Sequence, residues 1–353
     1  MASRVVDPDR RSGAATLVRA LHDHLDSQHE VRLVAGVWGD PTLLPARSVA
    51  VRFNPGQALR NRLRLDARVR LEALRFRPDL VVGYGVEVPG GLAPTLGLLD
   101  DPWRAGADWG RARGVRQAWV RRRIQAVDLP VAPSASCIQR YEDFGVRGTR
   151  IRVAWPGVDT ARFCPDPAQE AMPSEGPIRL LYAARMIPGK GQHVAIEALK
   201  GLHANVRDRL HLDLVGPASD PAYVTQLKRR AVDAPVTLHH DVAELAPWYR
   251  RAHIVLFPTT MEEVFGYSAV DGIACGKPVI HSRFRALDEV LDGVGVSVPA
   301  GDVGRLGEAI RALVRDPDRA ADLGRRGREL ALKRYSWTQA FARYDQLINE
   351  LVS

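Results

Sequence analysis

Cysteine is scarce in this chain, with three in 353 residues, at Cys137, Cys164 and Cys275. Their odd number and scattered spacing fit neither a disulfide framework nor a metal-ligand pattern, so the chain reads as reduced and cytoplasmic. No apolar run approaches the roughly 20 residues that a bilayer-spanning helix requires. The first residues, Met-Ala-Ser-Arg-Val-Val-Asp-Pro-Asp-Arg-Arg, lack the apolar centre of a signal peptide. A hydrophobic content of 46% and a charged content of 26% are those of a soluble globular protein. At 353 residues the length exceeds one ordinary core and suits two domains.

Charge is present but unevenly placed. Residues 1–155 hold 25 Arg against 16 Asp and Glu, whereas residues 156–353 hold 25 Lys and Arg against 25 acids. The whole excess of +9 therefore lies in the first half. Arginines cluster at Arg60, Arg62, Arg64, Arg68, Arg70, Arg75 and Arg77, and again at Arg111, Arg113, Arg116, Arg121, Arg122 and Arg123. Codon usage alone produces such a bias, since Arg outnumbers Lys throughout. The functional reading is peripheral contact with the anionic inner face of a membrane, or attraction to a phosphorylated acceptor. Nucleic acid is not expected as a partner, because no recognition motif and little aromatic interleaving accompany these runs.

Short apolar runs alternate with helical periods, as in parallel sheets flanked by helices. Strands are expected at Val31–Trp38, Asp79–Gly85, Thr95–Leu99, Leu129–Ser134 and Ile151–Trp155, after a first strand cut to Arg4-Val5-Val6. Ala14, Leu17, Val18, Leu21 and Leu25 keep the spacing of a buried helix face. The proline-rich stretch from Pro165 to Pro177 is expected to be a linker. Beyond it, strands are expected at Ile178–Ala184, Leu210–Val215, Val236–His239, His253–Pro258 and Pro278–His281, with helices around Ala195–Leu202, Leu306–Val314 and Phe341–Leu351. The organisation is thus a first domain over 1–165, a linker over 166–177 and a second domain over 178–335. A final helix over 336–353 follows. Two similar α/β halves place a binding cleft between them.

Two strand-to-helix junctions carry the chemistry. Arg185-Met-Ile-Pro-Gly-Lys190 offers two cations where a helix start presents free amides, which suits a phosphate. Arg185 is a planar fork for two oxygens and Lys190 a compact point charge. A solvated βα loop is the plain alternative. The second junction runs from Glu263 to Asp271. Phe265, Gly266, Tyr267 and Ser268 lead into a helix whose first amides would face a diphosphate. Asp271 lies three residues past Ser268 on the same helix face and suits ribose hydroxyls. Glu263, ahead of the helix, would face the transferred sugar, and helix capping is its plain alternative. A site with both junctions can hold a sugar joined to a nucleotide diphosphate.

These motifs resemble the family 4 retaining glycosyltransferases, with an Arg-x4-Lys clamp at Arg185 and Lys190. The family's Glu-x7-Glu motif appears as Glu263 and Asp271, and its Gly-x-Pro-Val strand as Ala274-Cys275-Gly276-Lys277-Pro278-Val279. Val215-Gly216-Pro217, Pro299-Ala300-Gly301-Asp302, Tyr335-Ser336-Trp337 and Pro156-Gly157-Val158-Asp159 with Phe163 are similar to further family segments. The likeness runs from about Arg150 to the end. Earlier, the family's Gly-Gly loop appears only as Ser12-Gly13-Ala14-Ala15, and its His-Asp pair as Asp100-Asp101.

The resemblance implies a GT-B fold, an α/β architecture of two Rossmann-like domains facing each other across a cleft. The C-terminal helix would return to the first domain. It implies a retaining, metal-independent hexosyltransferase moving a sugar from a nucleotide-diphosphate sugar to an acceptor hydroxyl. The acceptor could be lipid-linked, a polysaccharide or a natural product. Glu263, Arg185, Lys190 and Asp100 would carry catalysis. Gly13, Gly216 and the segment from Phe265 to Asp271 would help bind the donor. No cofactor is expected beyond the nucleotide-sugar co-substrate. The shorter Asp271 and the altered Asp100-Asp101 leave open a second reading, a silent GT-B protein that binds a nucleotide or sugar and serves a partner. Asp7-Pro8-Asp9 and Asp316-Pro317-Asp318 read as turns rather than metal sites. His239-His240-Asp241 lacks further ligands at useful spacing.

Overall fold

The computed structural model describes residues 2–3, 13–37, 44–45, 47–54, 57–85, 91–102, 113–167, 172–173, 175–240 and 242–353. The chain divides into two units, Met1–Gly157 with Thr338–Ser353, and Val158–Trp337.

The first unit is a parallel sheet built from β1 (Ala2–Ser3), β2 (Val34–Val37), β3 (Val49–Arg52), β4 (Val81–Tyr84), β5 (Thr95–Leu98), β6 (Leu129–Ala132) and β7 (Arg152–Val153). Its order is β3-β2-β1-β4-β5-β6-β7. Strands β2 and β5 are buried along their whole length, as a parallel sheet covered on both faces requires. The first strand is Ala2–Ser3, which pairs Ala2 with Val34 and with Gly83. The expected Arg4-Val5-Val6 lies outside the described residues. Helix α1 (Gly13–Asp26) buries Leu17, Val18, Leu21 and Leu25, the face its periodicity marks. Helices α2 (Ala58–Phe76), α3 (Arg113–Gln125) and α4 (Ala135–Asp143) connect the later strands. Leu65 and Val69 of α2 join Val34, Val51 and Phe53 in one apolar cluster.

The second unit repeats the pattern with β8 (Ile178–Ala183), β9 (Leu210–Val215), β10 (Val236–His239), β11 (Ile254–Phe257), β12 (Val279–Ser282) and β13 (Gly295–Val298). These parallel strands are ordered β10-β9-β8-β11-β12-β13, the doubly wound arrangement of a nucleotide-binding sheet. Its helices are α5 (Gln192–Lys200), α6 (Ala204–Arg207), α7 (Pro221–Arg230), α8 (Ala246–Arg251), α9 (Tyr267–Ala274), α10 (Arg285–Val290), α11 (Val303–Arg315) and α12 (Pro317–Leu330). Strands β8 and β11 are neighbours, yet the chain winds away from them in opposite directions. The loops that follow them therefore diverge and leave a crevice at the carboxyl end of the sheet.

The division falls at Gly157, ahead of the proline-rich stretch expected to link the domains. Residues 158–163 already belong to the second unit for a physical reason. Val158 donates to Tyr335 O at 2.7 Å, and Phe163 packs edge-on against Tyr249 at 5.5 Å. Arg328 Nη1 donates to Thr160 O and Phe163 O at 3.0 Å and to Ala274 O at 2.7 Å. One guanidinium thus satisfies three carbonyls that a chain turn leaves open. The last helix, α13 (Trp337–Val352), is grouped with the first unit from Thr338 onward. There Phe341 stacks on His24 at 4.1 Å, and His24 Nε2 lies 2.9 Å from Asp345. No helix among the described residues is long and apolar enough to cross a membrane.

Candidate functional site

The two junctions singled out in the sequence meet at the crevice between β8 and β11. Residues after β8 form a short turn, Pro188–Lys190, which ends at Gly191 and enters α5. Residues after β11 run through Glu263 to Gly266 and enter α9. Thr260 N donates to Gly189 O at 2.9 Å, and Thr259 Oγ1 donates to the same oxygen at 3.0 Å. Gln192 Nε2 donates to Arg185 O at 2.8 Å, and Tyr182 OH donates to Lys190 O. The two threonine bonds tie the loops to each other, and the other two fix the turn after β8.

Lys190 and Glu263 form an ion pair there, Nζ to Oε1, with side chains only 12% and 11% exposed. Lys190 also lies over the Phe257 ring, 5.7 Å from its centre. The sequence reading assigned Lys190 to a phosphate and Glu263 to a sugar, and the structure shows that each is the other's partner. A nearly dry ion pair of this kind is well held only because each charge has its counter-charge.

Gly191 has φ 71°, and a Cβ built on it would stand 2.0 Å from Pro258 O. Only glycine permits that left-handed turn with a neighbouring backbone so close. Gly266, with φ 83°, starts α9 in the same manner, and a Cβ there would meet Leu287 at 2.5 Å. The glycine starts have an electrostatic consequence. In this unit α7, α11 and α12 are capped by Asp220, Asp302 and Asp316, whose carboxylates accept from the third residue on. Helices α5 and α9 have no such cap and no acid in their first turns, so the positive end of each dipole lacks a carboxylate of its own, although the His193 amide of α5 donates to Tyr223 OH at 3.2 Å. Asp316-Pro317-Asp318 is thereby seen to be a helix start where a turn was expected, while Asp7-Pro8-Asp9 lies outside the described residues.

The remaining expected residues divide. Arg185 follows β8 and is half-buried, and Gly216 follows β9 with its amide donating to His239 O at 3.0 Å. Tyr267 and Ser268 open α9, and Ser268 O accepts from Tyr249 OH at 2.9 Å. The Phe265 ring is 2% exposed and packs on Tyr267 at 4.9 Å and Tyr335 at 5.5 Å, so its side chain builds the core and only its backbone could serve a donor. Asp271 stands apart from the Glu263 pair. It is half-buried, and the apolar packing around it pushes its carboxyl up to about 8, against the pull of Arg162 and with a contribution from Asp159. Asp271 is therefore largely protonated at neutral pH and can donate a hydrogen bond as well as accept one.

Gly13 and Asp100 belong to the first unit. Gly13 opens α1, and Asp100 follows β5 with its carbonyl accepting from Tyr141 OH at 2.7 Å. Asp101 is 6% exposed and receives Arg140 at 2.8 Å, which makes it structural. His239 Nε2 pairs with Asp213 at 2.7 Å and packs on Trp248, and Asp241 lies outside the described residues. Thr259, Thr260, Gln192 and Tyr182 were not expected from sequence. The Thr-Thr pair after a buried strand was the one signal, and it is too common to single out.

Comparison with known proteins fits this geometry. Residues 177–316 match the family described as Glycosyl transferases group 1, and residues 11–162 match Glycosyltransferase Family 4. The chain belongs to the family 4 glycosyltransferases of group 1. It is similar to a GDP-mannose-dependent alpha-(1-6)-phosphatidylinositol monomannoside mannosyltransferase of Mycolicibacterium smegmatis, 33% identical over 55% of this chain and 55% of that one. It is also similar to D-inositol 3-phosphate glycosyltransferase 1 of Catenulispora acidiphila, 33% identical over 70% of this chain and 63% of that one. The matches thus span 55% and 63% of these relatives' lengths. Anabaena HepE, solved in complex with UDP, aligns with a TM-score of 0.79 at 17% identity over 99% of both chains. That likeness shows the fold, which is GT-B with two Rossmann-like units.

Proposed function

We propose that this chain transfers a hexose from a nucleotide-diphosphate sugar to an acceptor hydroxyl, with retention of anomeric configuration and without a catalytic metal. The observation that carries the reading is the Lys190–Glu263 pair set between two uncapped helix starts at the sheet's switch point. A diphosphate entering there meets Lys190, Arg185 and the positive dipole ends of α5 and α9. These groups favour the charge that grows on the leaving oxygen as the glycosidic bond breaks. Positive charge from two side chains and two helix dipoles makes a metal unnecessary for that step.

Binding would also change Glu263. As the diphosphate takes Lys190, the Glu263 carboxylate loses its partner and becomes available to the sugar, which turns positive in the transition state. The acceptor hydroxyl then attacks the face that the diphosphate leaves, and a diphosphate oxygen takes its proton. Asp271, as a neutral acid, would serve the ribose, and Asp100 is the candidate on the acceptor side. The names of the relatives support a phosphorylated polyol, free or lipid-linked, as the acceptor class.

The test is calorimetric titration with GDP, UDP and their sugars, followed by transfer assays on inositol phosphates. Binding of one nucleotide diphosphate, lost about tenfold or more in both Lys190→Ala and Arg185→Ala, is expected, since a charge-assisted hydrogen bond contributes about 1.5–3 kcal/mol. Unchanged affinity in both variants would remove the donor-site assignment. Tight donor binding with neither transfer nor hydrolysis would instead mark a nucleotide-binding protein that serves a partner.

A further inference from the structure

The first unit carries a surface that sugar transfer does not use. On α2, Leu63 and Leu74 are 60% and 72% exposed, and Leu71 is 39% exposed. Arg60, Arg64, Arg70 and Arg75 are exposed beside them. These positions recur at steps of three and four, so they share one helix face. The opposite face, with Asn61, Leu65, Val69 and Glu72, is buried.

The acids of α2 are withdrawn from that exposed face. Glu72 has a side chain 6% exposed and is held by Arg68 at 2.8 Å and Arg32 at 3.1 Å. Asp66 receives Arg123 of α3 at 2.5 Å. Arg123 and Arg62 each lie 5.4 Å from the Trp119 ring, so α2 and α3 stand side by side. Helix α3 contains no acid, and it adds exposed Val115, Arg121 and Arg122. Some clustered arginines thus fasten the helices together, and the others remain outward among leucines.

We propose that this α2–α3 face seats the first unit on an anionic lipid surface. Single exposed leucines are ordinary, but several on one face, interleaved only with cations, form a patch that water does not favour. Such a face suits the boundary between headgroups and acyl chains, where leucines enter and arginine stems lie flat with the guanidinium on phosphates. A nucleic acid would find the cations but gain nothing from Leu63 and Leu74. The proposal is independent of the sugar-transfer reading.

The experiment is co-sedimentation of the full chain with vesicles of phosphatidylcholine alone and of phosphatidylcholine mixed with phosphatidylglycerol. Binding only to the mixed vesicles is expected, reversed when salt shortens the Debye length to about 3 Å. Leu63→Ser with Leu74→Ser, and separately Arg60→Gln with Arg64→Gln and Arg70→Gln, should each lower binding at least tenfold with an unchanged melting temperature. Lys190→Ala should bind vesicles as the parent does. Equal binding to both vesicle types, or full binding by either surface variant, would overturn the proposal. So would absence of vesicle binding together with a dimer that the leucine substitutions abolish.

Discussion

The two units share a strand order but treat charge in opposite ways. In the second, Val158–Trp337, 24 bases nearly balance 23 acids, and Lys190 is locked to a carboxylate in a nearly dry crevice. In the first, 26 arginines face 18 acids, and several of those arginines lie on the exposed faces of α2 and α3. Alternating strands and helices dictate the sheet in both, and they leave the surface free to differ. Where charge sits therefore reports use, not fold.

The largest effect should come from Gly191→Ala in the second unit. The added Cβ would strike Pro258 O in a left-handed turn, so a loss of about 3 kcal/mol or more is expected, measurable by urea unfolding. A stable variant would show that the crevice loops are less rigid than their hydrogen bonds imply. Lys190→Ala comes next. It leaves Glu263 poorly solvated without its partner, and about 1–3 kcal/mol of stability should be lost, with much of it regained in Lys190→Ala combined with Glu263→Gln. Additive losses in the double variant would separate the two residues energetically.

Asp271 gives a third, pH-dependent contrast. Its folded carboxyl titrates at about 8, above the ordinary 3.8, so the folded chain holds this proton more tightly than the unfolded one. Its contribution to stability is complete below about pH 4 and declines as pH rises through about 8. Melting curves across that range should be flatter for Asp271→Asn than for the parent, and parallel curves would refute the assignment. The smallest effect belongs to the first unit. Arg123→Gln removes a partly exposed ion pair and a cation–ring contact, at about 1 kcal/mol, and denaturation should show it without any change in nucleotide affinity.

Legibility also differs between the units. Strand β9 falls where its apolar run places it, because a strand buried on both faces leaves a continuous signal. Strands β3 and β13 were not anticipated. Both are sheet-edge or near-edge strands with mixed burial, so Val49–Arg52 and Gly295–Val298 lack such a run. The donor-side motif was readable because Gly191, Lys190, Glu263 and Gly266 lie in two short segments. Its internal ion pair was not, since nothing in sequence spacing tells a ligand-facing carboxylate from one that turns to a lysine. The burial of the Phe265 ring was not legible either, because motif membership does not say which way a ring points. Likewise the arginine clusters looked uniform, and only packing separates Arg62 and Arg123 from Arg64 and Arg121.

The return of α13 to the first unit bears on how the chain is made. Val158–Trp337 is contiguous and can close as soon as it leaves the ribosome. The earlier sheet cannot, because Tyr344, Leu347 and Ile348, buried in its completed form, are translated only after the whole second unit. Synthesis order and completion order are therefore reversed: the half made first matures second. Until then it waits as an open-ended intermediate whose closing contacts span more than three hundred residues from His24 to Asp345, the long-range kind that forms slowly.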